Sequence, residues 1–251
     1  EYQNKKLGLF GDFAFFSFGR DKVISSVYGG AVIVNNQNYL AFFKEIYYSL
    51  SQPNYFWIFQ QLLYPVLLAI ILPCYNLFGL GKLLLVICQK FKLLSLAVTK
   101  KEKQGQKPNY FPQRLPDALA ALALRQFKRL DQFNEHRQKI ATLYSQKLKN
   151  QKDFILPLVS DSKQKHIFLR YTIKTKRAKE ILVEGQKKGI ILGYWYQSPI
   201  APVDTDLNKM NYRIGSCPVA EKVAELSLNL PTQINLSQED ATKIIEFLKS
   251  I

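Results

Sequence analysis

Hydrophobic and polar positions change their period several times along the chain, and each change marks an element. Phe13 to Phe18 and Gly30 to Asn35 (GAVIVN) are short continuous apolar runs bounded by Gly and Asn. Such runs predict strands buried on both faces of an α/β sheet. Between them lies SFGRDKVISSVYGG, a polar, Gly-flanked connection of the kind that carries chemistry on α/β scaffolds. Residues from about Asn38 to Ser49 predict a helix.

From Ile46 to Gly81 the pattern loses its polar half: 36 residues pass without a charge, centred on YFWIFQQLLYPVLLAIILP. Lys82, LLLVICQ, Lys90, Lys92 and LLSLAV follow. A membrane-spanning helix needs about 20 apolar residues. Pro65, Pro73 and the Gln60-Gln61 pair divide this run into shorter pieces. The expectation is an interfacial or re-entrant helical hairpin, with Tyr55, Phe56 and Trp57 at one edge and Lys90, Lys92, Lys100, Lys101 and Lys103 at the other. A buried hairpin or a dimer interface is the alternative.

Thr99 to Pro108 (TKKEKQGQKP) reads as a polar linker. Spacings of three and four among Leu115, Leu119, Leu122, Phe127, Leu130, Phe133, Ile140, Tyr144 and Leu148 then predict one long helix or two consecutive ones. Beyond Asp153 the elements alternate: a strand over Ile167–Lys174, a helix over Lys176–Lys188, a strand over Ile190–Tyr196, and a helix after Pro218. The last helix is capped by Ser237 with Glu239 and Asp240 in its first turn. The organisation expected is residues 1–50 with the loop just described, 51–107 as the apolar segment, 108–150 as the connecting helix, and 151–251 as a small α+β domain.

The 251 residues hold 35 Lys+Arg against 19 Asp+Glu, a net charge of +16, with 47% hydrophobic residues. That apolar fraction excludes a disordered chain. Only eight of the basic residues are Arg, the side chain preferred for base edges and phosphate forks, so nucleic acid is not the first reading of the charge. Three Cys and two His, none in ligand spacing, leave no zinc site or disulfide framework and suit a reducing compartment. No secretory leader precedes Gly8, and the sequence reads as the middle of a cytoplasmic protein.

Generic motifs are scarce. His136 reads as a solvated helix residue, and Cys217, just ahead of a helix, as structural. His166 reads as edge-strand packing or a substrate contact. Ser17 and Lys22, five residues apart on the loop leaving the first strand, are the informative pair.

Together GDFAFFSFGRDK and VYGGAVIVN resemble the cofactor-lysine segment of the DegT/DnrJ/EryC1/StrS sugar aminotransferases, a pyridoxal-phosphate family of fold type I. There the pattern runs G-D, a strand, S-F, the lysine, G-G-A and a strand ending V-x-N. RLPDALAALALRQFKRLDQFNEHRQKIATLYSQKL is similar to the family's long helix, and CPVAEKVAELSLNLPTQINLSQEDATKIIEFL to its closing domain. The resemblance implies an α/β fold: the C-terminal part of the large domain plus a small α+β domain, with the apolar hairpin inserted near residues 50–105.

By that resemblance, Lys22 forms the Schiff base with pyridoxal phosphate, for which its amine needs a depressed pKa, and later shuttles a proton. Ser17 donates to the cofactor phosphate. Arg20 and Arg114 add positive charge near phosphate groups, and His166 is a weaker substrate contact. Where the family carries an Asn two residues before the helix-starting Arg, reaching the cofactor phosphate of the partner subunit, Pro112 stands here and cannot make that contact; Asn109, three residues earlier, is the weaker candidate for it, and whether it substitutes is open. The sugar-site His is replaced within Pro199 to Val203. The segment supplying the acidic partner of the pyridine nitrogen lies upstream of the resemblance, so the chain reads as a fragment. Expected partners are a nucleotide-sugar, an amino-acid donor, a second copy of the chain and the inner membrane face. The alternative is a catalytically silent, membrane-associated aminotransferase-like module with a binding or regulatory role.

Overall fold

The computed structural model describes residues 1–75, 77–158 and 163–251. These divide into two units, one of residues 5–99 and 107–130, the other of residues 1–4, 100–106 and 131–251.

In the first unit, β1 (Phe13–Ser17) pairs antiparallel with β2 (Gly30–Val34), Phe13 opposite Val34 and Ser17 opposite Gly30. The predicted strands form, but burial on both faces does not: Phe13, Phe15, Phe16, Val32 and Ile33 are exposed. A two-stranded ribbon has no neighbouring strands and few elements to cover it, so apolar side chains suited to a sheet interior stay open. Gly30 sits where a Cβ would lie 2.6 Å from the Phe16 carbonyl oxygen, so only glycine closes this end of the ribbon. The helix α1 (Leu40–Ser49) follows and sets Phe43 against Phe13, ring centroids 5.3 Å apart.

The apolar run folds as a helical hairpin, α2 (Tyr55–Ile71) and α3 (Leu80–Lys90). Asn54 caps α2, its side-chain oxygen accepting from the Trp57 N–H at 2.7 Å. Pro65, expected to divide the run, lies inside α2; the proline removes one backbone donor but the helix continues to Ile71. Ile71, Cys88 and Leu94 form a small core with Tyr64, Leu67, Leu85 and Leu93 around it. Gly81 permits the close turn, since a Cβ there would lie 2.5 Å from the Tyr75 Cα. The outer faces are open: Tyr55 is 91% and Phe78 96% exposed. Among the described residues no helix is long and apolar enough to cross a membrane. The predicted long helix begins here as α4 (Asp117–Phe127).

In the second unit the pattern resumes as α5 (Leu130–Leu148), so the sequence's alternative of two consecutive helices holds. Here β3 (Tyr171–Lys174) pairs antiparallel with β4 (Ser227–Leu230), between which run α6 (Ala178–Lys187) and α7 (Pro218–Leu226); α8 (Gln238–Ser250) closes the chain. Tyr144 and Leu148 of α5, Tyr171 and Ile173 of β3, Leu228 and Leu230 of β4, and Ile245 and Leu248 of α8 make one core. The strand predicted over Ile190–Tyr196 does not form. Only Gly193 bridges to Asn229, because the Asn229 side chain accepts from the Trp195 N–H and takes the place of a ladder partner. The predicted strand from Ile167 begins only at Tyr171.

Candidate functional site

The loop from Phe18 to Gly29 is fixed at its base. Phe18 N–H donates to the Gly29 carbonyl and Ser26 N–H to the Phe18 carbonyl, both at 2.9 Å, while Lys22 N–H closes a turn onto Gly19 at 3.1 Å. Ser17, the last residue of β1, accepts from the Gly19 N–H at 3.3 Å. Its own hydroxyl proton has no partner among the described residues. The Lys22 ammonium meets both carboxylate oxygens of Asp21 at 2.9 Å, and its side chain is 34% exposed. An amine and a hydroxyl thus share one braced loop. By the resemblance these are the two residues of the loop that would hold pyridoxal phosphate.

Arg20 points elsewhere, into the hairpin. Its guanidinium lies 3.9 Å from the Tyr64 ring centroid and 5.2 Å from that of Tyr28. It donates to the Ser95 carbonyl at 2.7 Å and to the Ser95 hydroxyl. Ser95 passes the contact on, its Oγ donating to the Gln61 side-chain oxygen at 2.6 Å. The expectation of Arg20 near phosphate, and of Gln60-Gln61 as a mere divider, gives way to this network. A polar pair inside an apolar run is the signal in the sequence that points to it, since a buried amide requires partners.

Beside the loop, Tyr28, Gly29, Trp57, Tyr110, Arg114 and Leu115 line an open pocket of about 150 Å³. The Tyr28, Trp57 and Tyr110 rings pack with centroids 5.6 to 5.9 Å apart. Arg114 reaches this wall, but its guanidinium donates to the carbonyls of Tyr47, at 3.0 Å, and Tyr48, satisfying the C-terminal end of α1. Asn109 is exposed, next to Tyr110. Pro112 follows Phe111 and carries no donor.

His166 lies in the other unit. Its Nδ1 accepts from the Phe168 N–H at 2.8 Å and its ring stacks on Phe168, centroids 4.2 Å apart. Desolvation on that face holds its pKa below the ordinary imidazole value. His136 meets the Gln233 carbonyl at 3.0 Å, and Cys217 is exposed just ahead of α7. Among the described residues, no group of His, Cys, Asp and Glu could hold a metal ion.

Similarity to known proteins points the same way. A curated relative, the "Pleiotropic regulatory protein" of Geobacillus stearothermophilus, is 29% identical over 151 residues, 57% of this chain and 40% of its own length. A DegT DnrJ EryC1 StrS aminotransferase from Brucella abortus superposes with a TM-score of 0.64 at 18% identity, covering 99% of this chain and 53% of that one. Helicobacter pylori PseC, an aminotransferase involved in the biosynthesis of pseudoaminic acid, gives 0.64 at 22% identity, covering 100% and 56%. The putative sugar aminotransferase Spr1654 from Streptococcus pneumoniae, in its PLP form, gives 0.62 at 18%, covering 99% and 54%. At these identities the superpositions establish the fold, and the chain spans about half the length of the solved relatives. The family profile skips the stretch from residue 50 to 82, most of the apolar hairpin, yet matches residues 1–49 and 83–249, and by that match the chain belongs to the DegT/DnrJ/EryC1/StrS aminotransferase family of pyridoxal-phosphate-dependent enzymes.

Proposed function

We propose that the protein transfers an amino group from an amino-acid donor to a keto group on a nucleotide-linked sugar, feeding cell-envelope polysaccharide synthesis. The observation that carries this reading is the single loop holding Lys22 and Ser17, inside a segment the family profile matches. Pyridoxal phosphate, when bound, supplies the electron sink. The chain's own residues do the rest. Lys22 would hold the cofactor through its amine, and the same amine would serve as the base that moves a proton during transfer. In the free protein Asp21, 2.9 Å from Lys22 Nζ, pairs with the ammonium, and that pair would have to open for the amine to reach the cofactor. Ser17 donates its hydroxyl proton to the cofactor phosphate, which fixes the ring relative to Lys22. Asn109 is the proposed second phosphate contact, Arg114 and His166 the weaker substrate contacts. A homodimer completes the site, and the exposed hairpin rests on the inner face of the cell membrane.

A second reading, a catalytically silent module with a regulatory role, draws support from Pro112, which cannot donate where the family has Asn. One experiment separates the two. The protein as its gene encodes it, supplied with pyridoxal phosphate, is expected to show visible absorbance that borohydride removes, and Lys22→Ala to abolish both absorbance and transamination. No absorbance in the parent protein, or transaminase activity kept by Lys22→Ala, sinks the enzymatic reading.

A further inference from the structure

We propose that Arg20 is a positioning residue for Lys22, and that the apolar hairpin sets the geometry of the lysine loop through it. A guanidinium drawn into a partly buried setting normally finds a carboxylate. Arg20 instead meets neutral groups: the Ser95 carbonyl and hydroxyl and the rings of Tyr64 and Tyr28. Its Nε is buried with no hydrogen-bond partner among the described residues. A bidentate hold on one residue, with an aromatic ring at 3.9 Å, fixes a planar group in position and direction better than a solvated ion pair does.

The hold is backed from behind. Ser95 donates to Gln61, which is fully buried and itself donates to the Trp57 carbonyl at 3.2 Å. A second strut runs alongside, from the Tyr28 hydroxyl to the Leu96 carbonyl. Arg20 sits between Gly19, whose N–H is bound by Ser17, and the Asp21–Lys22 pair. The clamp therefore grips the interval between the proposed phosphate donor and the proposed cofactor amine. Gln61 and Tyr64 lie in the stretch that the family profile skips, whereas Ser95 lies in the matched stretch just beyond α3, so the hairpin supplies the backing and the ring of the clamp. A bound amine displaced by about 1 Å can lose on the order of 100-fold in rate, so loop geometry matters well before folding does.

The inference rests on Lys22 being the cofactor amine, and its test is built to fail separately from that reading. The first measurement needs no cofactor: amide hydrogen exchange over residues 18–29 in the protein as its gene encodes it. Arg20→Ala is expected to raise exchange there about tenfold, with α5 and α8 unchanged, and Ser95→Ala, which removes the hydroxyl contact but keeps the carbonyl, by a smaller factor, with the double variant adding little beyond Arg20→Ala. Arg20→Lys, which keeps the charge without the fork, is expected to behave like Arg20→Ala. Unchanged exchange in Arg20→Ala, or full rescue by Arg20→Lys, overturns the clamp. The second measurement follows the visible absorbance of the cofactor-loaded protein against pH. A displaced midpoint in Arg20→Lys, with kcat lowered about tenfold and KM for the donor kept, supports positioning, and an unmoved midpoint and kcat overturn it. If the parent protein shows no absorbance at all, the function proposed above fails while hydrogen exchange still decides the clamp. Should Arg20→Ala fail to fold, hydrogen exchange in Arg20→Lys decides the same question, parent-like exchange there overturning the clamp.

Discussion

Arg137 shows how a single charged side chain can be structural. It is 7% exposed and donates from Nη1 to the Leu169 carbonyl at 2.8 Å and to the Thr232 hydroxyl at 3.0 Å, joining α5 to the segments flanking the second ribbon. Burial, then the nearby Arg170 charge, lowers its pKa, yet a guanidinium stays protonated through the ordinary range. Arg137→Ala removes the donor to the Thr232 hydroxyl and one of two donors to the Leu169 carbonyl, opens a buried gap, and is expected to destabilise this unit by about 2–4 kcal/mol in urea unfolding. At the same scale Ser17 and Lys22 are legible as candidates in the sequence, because the motif around them resembles the family's lysine segment, whereas their spacing alone is a weak signal. The role of Arg20 is not, because its partners Ser95 and Tyr64 are 75 and 44 residues away.

Capping logic makes α8 readable as an element. Ser237 Oγ accepts from the Asp240 N–H at 3.0 Å and donates to its carboxylate at 2.7 Å. That side-chain hydrogen bond, reinforced by Lys243, holds the Asp240 pKa below the ordinary carboxylate value. A depressed folded-state pKa adds stability above the unfolded value and loses it as pH falls through the folded one. Ser237→Ala is therefore expected to cost about 1 kcal/mol near neutrality, and the gap in melting temperature from the parent is expected to narrow in acid. The hairpin depends on backbone proximity instead. Gly81→Ala forces a Cβ against Tyr75 and is expected to cost roughly 1–3 kcal/mol locally, read as faster labelling of buried Cys88 by a thiol reagent.

For the whole molecule, the exposed hairpin and the +16 charge lead to one expectation with two separable parts. Anionic vesicles should bind the protein and neutral vesicles less. Salt should weaken the lysine contribution while leaving the apolar one. Removing residues 55–98 should abolish co-flotation, and a deleted protein that floats as before overturns the membrane role. The sequence by itself determined the family, the order of most elements, the caps and the cofactor-lysine candidate, since each is written in local spacing or in a short ordered motif. Only the tertiary structure decided that Pro65 is tolerated within α2, that β1 and β2 form an open ribbon, that Arg114 closes α1, and that Arg20 meets Ser95 and Tyr64. Those outcomes depend on which distant donors, acceptors and rings come within a few ångströms, and periodicity along the chain carries no distance between residues far apart in it.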